Sequence, residues 1–264
     1  VSLANLRASA KSKHLPIYKY LNEKSKDFFN KNTEVSLPVP MMNILNGGSH
    51  ADNPIDFQEF MIQPIGFKNF KSSIQCGVEI FHHLKDLLIK KNLNVSTGDE
   101  GGFAPHIFSP EQALDLIIEA IEISGYKPGS DVFICLDCAA TEFYEKGDYL
   151  LKGINKNFSS IQLISYLEDL KLEYPIISIE DGLSEDDWKG WQLLTQKLGD
   201  KTQLVGDDIF ATNLERINKG INEKVANAVL IKINQIGTIS ETLEAVALSK
   251  QYGYKSIISH RSGE

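Results

Sequence analysis

Apolar residues recur along the chain in two rhythms. Leu3, Leu6 and Ala10, then Leu15, Tyr18 and Leu21, return at helical spacing with Pro16 between them. This predicts an amphipathic helical segment over residues 1–22, interrupted at the proline. Residues 23–36 are mostly polar and read as a linker. From Pro38 onward, short apolar runs alternate with helix-period stretches. The runs are Met41–Leu45, Phe57–Gln63, Val132–Leu136, Ile176–Ile179, Gln203–Gly206, Ala228–Ile233 and Ser256–Ser259. Several are apolar throughout, the pattern of strands covered on both faces.

The intervening segments carry helix signals. Ser109-Pro110-Glu111-Gln112 reads as a capping box with proline at the first helical position, and Gly125 as the stop. Ile74, Val78, Phe81, Leu84 and Leu88 form one apolar stripe. Ile161, Ile164, Leu167 and Leu170 form another, with Ser159 or Ser160 as cap. Residues 186–199 and 240–253 behave similarly, and every stripe reads as core packing. Strand–helix alternation predicts a parallel sheet joined by crossovers. Seven runs without an obvious switch point favour a (β/α) barrel over residues 37–264, one strand short of eight.

The candidate chemistry sits where the later strands end. Val132–Leu136 runs into Asp137, Ile176–Ile179 into Glu180, and Gln203–Gly206 into Asp207. Ala228–Ile231 runs into Lys232, and Ser256–Ser259 into His260, Arg261 and Ser262. In a parallel barrel the C-terminal strand ends share one mouth. Three acids gathered there repel one another and call for a cation. An all-oxygen donor set suits Mg²⁺ or Mn²⁺ rather than Zn²⁺. Lys232 interrupts the apolar run Val229-Leu230-Ile231-Lys232-Ile233. A buried amine of that kind is either a base or one half of a structural ion pair.

Two glycine-rich segments, Asn46-Gly47-Gly48-Ser49-His50 and Gly98-Asp99-Glu100-Gly101-Gly102, read as loops over the same mouth. Glycine lets a backbone approach a ligand closely. Glu100 is open to reading as a turn residue or a general acid. Gln58 and Glu59 interrupt an apolar strand and either face the pocket or serve structure. Cys135-Leu136-Asp137-Cys138 is not read as a redox or zinc motif, because residues three apart on a strand point to opposite faces and no second cysteine pair exists. His82 and His83 lie in an apolar helix and are given no catalytic role.

The 264 residues carry 27 basic and 35 acidic side chains, a formal net charge of −8, so nucleic acid is not expected as the primary ligand. Apolar residues make up 42 % and charged residues 23 %, which excludes a disordered chain. No run approaches the roughly 18 apolar residues of a membrane span. Three cysteines are too few for a disulfide framework and point to a reducing cytoplasm. The chain opens at Val1 inside an amphipathic pattern without signal-peptide features, so it reads as the interior of a longer protein.

Seven segments together resemble the enolase family, bacterial-type. They are Met41–Asn53, Gln58–Pro64, Gly98–Pro105, Ser178–Gly182, Val205–Asp208, Leu230–Gly237 and Ser259–Glu264. The resemblance spans nearly the whole chain in the family's order. It implies an enolase-type (β/α) TIM barrel and the reversible, Mg²⁺-dependent dehydration of 2-phospho-D-glycerate to phosphoenolpyruvate in glycolysis and gluconeogenesis. Asp137, Glu180 and Asp207 then match the Mg²⁺ ligands, and Lys232 the base that takes the C2 proton. Glu100 matches the acid that assists departure of the C3 hydroxyl, with Glu59 beside it. His50, Gln58, His260, Arg261 and Ser262 match positions around the substrate, Arg261 and Ser262 near its phosphate. Metal on the substrate carboxylate would stabilise the ene-diolate; a Lys base with Mg²⁺ is the general pattern of enolase-superfamily sites.

The resemblance also implies absences. An N-terminal α+β domain would precede Val1, with its last helix retained at 1–22. The last barrel strand, carrying a second active-site lysine, would follow Glu264. The 264-residue span is therefore expected to be unstable or inactive alone, and the full-length protein to be a homodimer. Two other readings stand beside the hydro-lyase: another enolase-superfamily enzyme, and a non-catalytic remnant acting as a binding or scaffold protein, with a secondary cell-surface location.

Overall fold

The computed structural model describes residues 1–29 and 34–261. In chain order the elements are α1 (Ser2–Ser12), α2 (Ile17–Phe29), β1 (Met42–Asn46), β2 (Glu59–Pro64), α3 (Phe70–Lys90), α4 (Pro110–Ile123) and β3 (Val132–Asp137). Next come β4 (Tyr144–Glu145), β5 (Asp148–Leu151), β6 (Lys156–Phe158), α5 (Ser160–Glu173), β7 (Ile176–Glu180), α6 (Trp188–Leu198) and β8 (Gln203–Gly206). Then follow α7 (Leu214–Glu223), β9 (Ala228–Ile231), α8 (Ile233–Ile236), α9 (Ile239–Gln251) and β10 (Lys255–Ile258). Each of the seven predicted runs forms a strand. The chain divides into two compact units, Pro38–Leu204, and the residues up to 37 together with those from 205 onward.

In the unit Pro38–Leu204 the strand order is β1-β2-β3-β7. The expectation of a uniformly parallel sheet fails at β2, which runs antiparallel to both β1 and β3, whereas β3 and β7 are parallel. The connections explain this. No α-helix lies between β1 and β2, so no helical crossover carries the chain back to the starting end. Two helices, α3 and α4, packed on each other, then separate β2 from β3 and return the chain to the end where β2 finishes. The ends of β1, β3 and β7 therefore share a rim with the beginning of β2.

Both faces of these strands are covered. Leu45, Phe60, Ile62, Ile134 and Leu136 on one face and Met61 and Cys135 on the other are buried, as are Leu84, Leu88, Ile117, Ile121, Leu163 and Leu167 on the helices. Ser109 caps α4 through the Gln112 amide, and Ser159, not Ser160, completes a capping box with Gln162 on α5. A three-stranded sheet, β4-β5-β6, goes beyond the predicted elements. Its strands are two to four residues long, too short for an alternation signal. Buried Tyr149 anchors it, its hydroxyl accepting from Ser184 N at 3.0 Å and donating to Asp187 Oδ2 at 2.9 Å.

In the other unit β8 pairs in parallel with β9, and β9 with β10. Val205, Ala228 and Leu230 form a core cluster against which Ile257 packs. Helix α7 was not anticipated, because its stripe is only Leu214, Ile217 and Ile221 in a polar background; Asn213 caps it through the amides of Glu215 and Arg216. The interruption at Pro16 separates α1 from α2 as predicted. Both helices pack on α9, where Ser2 Oγ accepts from Ile239 N at 3.0 Å and Lys250 Nζ lies 5.5 Å from the Phe29 ring centroid. Helix α2 runs into the stretch read as linker, as far as Phe29. Leu21, Ser25 and Phe28 continue its inner face, and the small Ser25, buried with its hydroxyl on Asn22 O at 2.7 Å, hides that face from an apolar count.

Candidate active site

The rim of the unit Pro38–Leu204 carries a row of register partners. Asn46 faces Glu59, Glu59 faces Asp137, and Asp137 faces Glu180. Asp137 and Glu180 are 5 % and 7 % exposed. Two buried carboxylates on facing positions of adjacent strands repel, and oxygen-rich surroundings of this kind suit a hard divalent cation. The backbone turns sharply behind them. Ala139 and Asp181 hold left-handed φ angles of 44° and 39°, which non-glycine residues rarely adopt. Ala139 N donates to Asp137 Oδ1 at 2.9 Å and Cys138 N to Glu180 O at 2.9 Å.

Gln58 serves this row. Its Nε2 donates to Asp137 Oδ2 at 3.0 Å, and its Oε1 accepts from Ser49 Oγ at 3.1 Å. Glu59 Oε1 lies 3.4 Å from His50 Nδ1. One donor atom each from His50, Glu59 and Glu100 lies within 4.8 Å of the others. The structure thus brings together three of the residues singled out from separate segments of sequence.

The glycines beside these residues answer to protein backbone. A Cβ on Gly47 would meet Phe57 O at 2.5 Å, one on Gly98 His50 O at 2.5 Å, and one on Gly102 Leu45 N at 2.7 Å. At these three positions the missing side chain lets the segments at 47 and 57, 50 and 98, and 45 and 102 lie against one another. The Glu100 turn is closed by Gly98 N donating to Gly102 O at 2.8 Å, and is tied to its neighbour by Asp99 N donating to His50 O at 3.0 Å.

Asn46 escaped the sequence reading as a residue with its own role. It is fully buried, its Oδ1 accepts from Gly102 N at 2.9 Å and Asn43 Nδ2 at 3.1 Å, and its Nδ2 donates to Gln58 O at 3.2 Å. It joins the Glu100 turn to Gln58. The available signal was a polar residue ending a largely apolar run.

In the other unit Asp207 follows β8 and Lys232 follows β9. Lys232 Nζ donates to Asp207 Oδ2, and the two side chains are 15 % and 11 % exposed. The ion-pair alternative for Lys232 is therefore realised in this structure. His260 and Arg261 follow β10; Arg261 Nη1 donates to Ser259 Oγ at 3.3 Å and to His260 O at 3.4 Å. Ser262 lies outside the described residues.

The cysteines stay apart from this chemistry. Cys76, Cys135 and Cys138 are free and buried, and burial pushes the Cys76 thiol up to about 12 and raises the Cys135 and Cys138 thiols as well. His83 Nδ1 bonds Ser124 Oγ at 2.9 Å. Among the described residues no helix is long and apolar enough to cross a membrane.

The family model of the enolase C-terminal TIM barrel domain fits residues 34–264.

Proposed function

The chain belongs to the family of enolase C-terminal TIM barrel domains, mixed α/β in fold, and from that premise we propose that it serves the reversible dehydration of 2-phospho-D-glycerate to phosphoenolpyruvate. The family places it among lyase-type enzymes of the enolase superfamily, whose sites pair a Lys or His base with Mg²⁺. The observation that carries the finer reading is the register row Glu59–Asp137–Glu180, two of its acids buried, with the Gln58 amide on Asp137.

In this reading Asp137, Glu180 and Asp207 would hold Mg²⁺, which would supply positive charge against the negative charge built up on the substrate carboxylate as the C2 proton leaves. Lys232 Nζ, as the neutral amine, takes that proton. Glu100 delivers a proton to the C3 hydroxyl, which leaves as water, with His50 and Glu59 beside it. Gln58 orients Asp137 and lies against the substrate. Arg261 offers its planar fork to the phosphate together with Ser262, and His260 borders the same group. The protein works in a reducing cytoplasm, consistent with three free buried thiols, and pairs as a homodimer.

The test is an absorbance assay for phosphoenolpyruvate on the full-length gene product, with and without Mg²⁺. Metal-dependent turnover of 2-phosphoglycerate is the expected result. Turnover of a phosphate-free carboxylate alone would replace this reading with another superfamily reaction, and no turnover of either would remove it.

A further inference from the structure

Lys232 is held from two directions by one short stretch of chain. Asp207 takes its ammonium group. Five residues later the Thr212 hydroxyl takes its backbone: Thr212 Oγ1 accepts from Lys232 N at 2.9 Å and donates to Leu230 O at 3.1 Å. Thr212 is fully buried, so its hydroxyl satisfies both partners away from solvent. The stretch between coils back on itself, with Phe210 N and Ala211 N donating to Asp207 O at 3.1 and 2.6 Å. It then leaves the right-handed region, with φ angles of 47° at Ala211 and 53° at Thr212. Two consecutive non-glycine residues there, the second β-branched, are held only where surrounding contacts over-determine them.

Core packing alone would not select this arrangement. A glycine or asparagine would adopt that backbone with less strain, and a valine would fill the same volume. What threonine adds is a donor and acceptor at the point where β9 ends and Lys232 begins. The result is a closed ring: Asp207 carboxylate, Lys232 amine, Lys232 amide, Thr212 hydroxyl, and the backbone back to Asp207.

We infer that Thr212 is a positioning residue for Lys232, its buried hydroxyl fixing the end of β9 so that the amine is presented at Asp207. The kinetic consequence rests on the proposed role of Lys232 as base, whereas the amide contact does not. The experiment uses the full-length protein with Thr212→Val, Thr212→Ala and Thr212→Ser. Thr212→Ser keeps the hydroxyl and relieves the β-branch. Thr212→Ala removes the hydroxyl and also relieves the β-branch, so it reports even where Thr212→Val fails to fold. Two quantities are measured: hydrogen exchange at the Lys232 amide, and the kcat and KM for 2-phosphoglycerate.

Thr212→Val and Thr212→Ala are expected to speed exchange at Lys232 and to lower kcat by at least about tenfold with KM nearly unchanged, as misplacing a reacting group does. Thr212→Ser is expected to match the parent in both. Unchanged exchange at Lys232 in Thr212→Ala, or faster exchange with kcat intact, would overturn the inference. A parent protein inactive on 2-phosphoglycerate would instead remove the functional reading, while the exchange data still decide whether Thr212 holds Lys232.

Discussion

Gln58 grips Asp137 twice. Its backbone N donates to Asp137 O and its side-chain Nε2 to Asp137 Oδ2, each at 3.0 Å. The two residues are 79 apart in sequence. They meet because β2 is reversed, so the residue just before its start lies beside the end of β3.

Gln58→Leu removes a donor from a buried carboxylate while keeping the bulk of the side chain. We expect a loss of about 1.5–3 kcal/mol in urea unfolding without metal. Gln58→Glu should weaken Mg²⁺-dependent thermal stabilisation as well, because it sets a second negative charge against Asp137. Equal unfolding midpoints for parent and Gln58→Leu would show that this bond contributes nothing.

Lys232 and Asp207 call for a double-mutant cycle. Lys232→Met strips a mostly buried Asp207 of its cation and should cost about 3–5 kcal/mol, and Asp207→Asn with Lys232→Met should cost less than Lys232→Met alone. If the amine is the base, turnover falls by about 10²–10⁴ in Lys232→Met. A stability loss with turnover retained would leave Lys232 a purely structural partner.

Gly102 and Gly125 separate two kinds of glycine. An added Cβ at Gly102 meets Leu45 N at 2.7 Å and Asn46 Oδ1 at 2.8 Å, so Gly102→Ala should cost about 1–3 kcal/mol and displace the Glu100 turn, lowering kcat. Gly125, at φ +81° with nothing within 4 Å of the added atom, should cost about 1–2 kcal/mol as alanine and leave kcat alone. Calorimetry with steady-state kinetics distinguishes them.

Tyr254 gives a pH prediction. Burial raises its hydroxyl from 10.0 to about 12, and it donates to Val225 O at 2.8 Å. The folded form holds the proton more tightly than the unfolded form. This contribution is therefore complete below pH 10 and is lost as pH rises towards 12. Urea midpoints should fall across that window, and Tyr254→Phe should flatten part of the fall. An identical fall in the variant would assign the alkaline loss to other groups.

Local pattern located the seven main strands, the cap at Ser109, the second cap to within Ser159 or Ser160, and the run of polar residues at strand ends, since those signals are local: alternation of apolar residues and the chemistry of a first turn. The motifs Gly98–Gly102 and Asn46–His50 likewise marked where the rim would be. Local composition could not reveal α7 or the last turns of α2, whose inner faces are thin or polar, nor the short sheet of β4, β5 and β6.

What the amino-acid order settled by itself is which residues stand at the ends of buried strands, because burial of an apolar run and the appearance of Asp137, Glu180 or Lys232 after it are properties of neighbours in the chain. Only the tertiary structure decided the direction of β2, the role of Asn46 in joining the Glu100 turn to Gln58, and the placement of Thr212 on Lys232. The physical reason is that each depends on contacts between residues far apart in sequence, made after the connections fix which end of a strand faces which. A one-dimensional pattern carries the energy of burial but not the geometry of the return path.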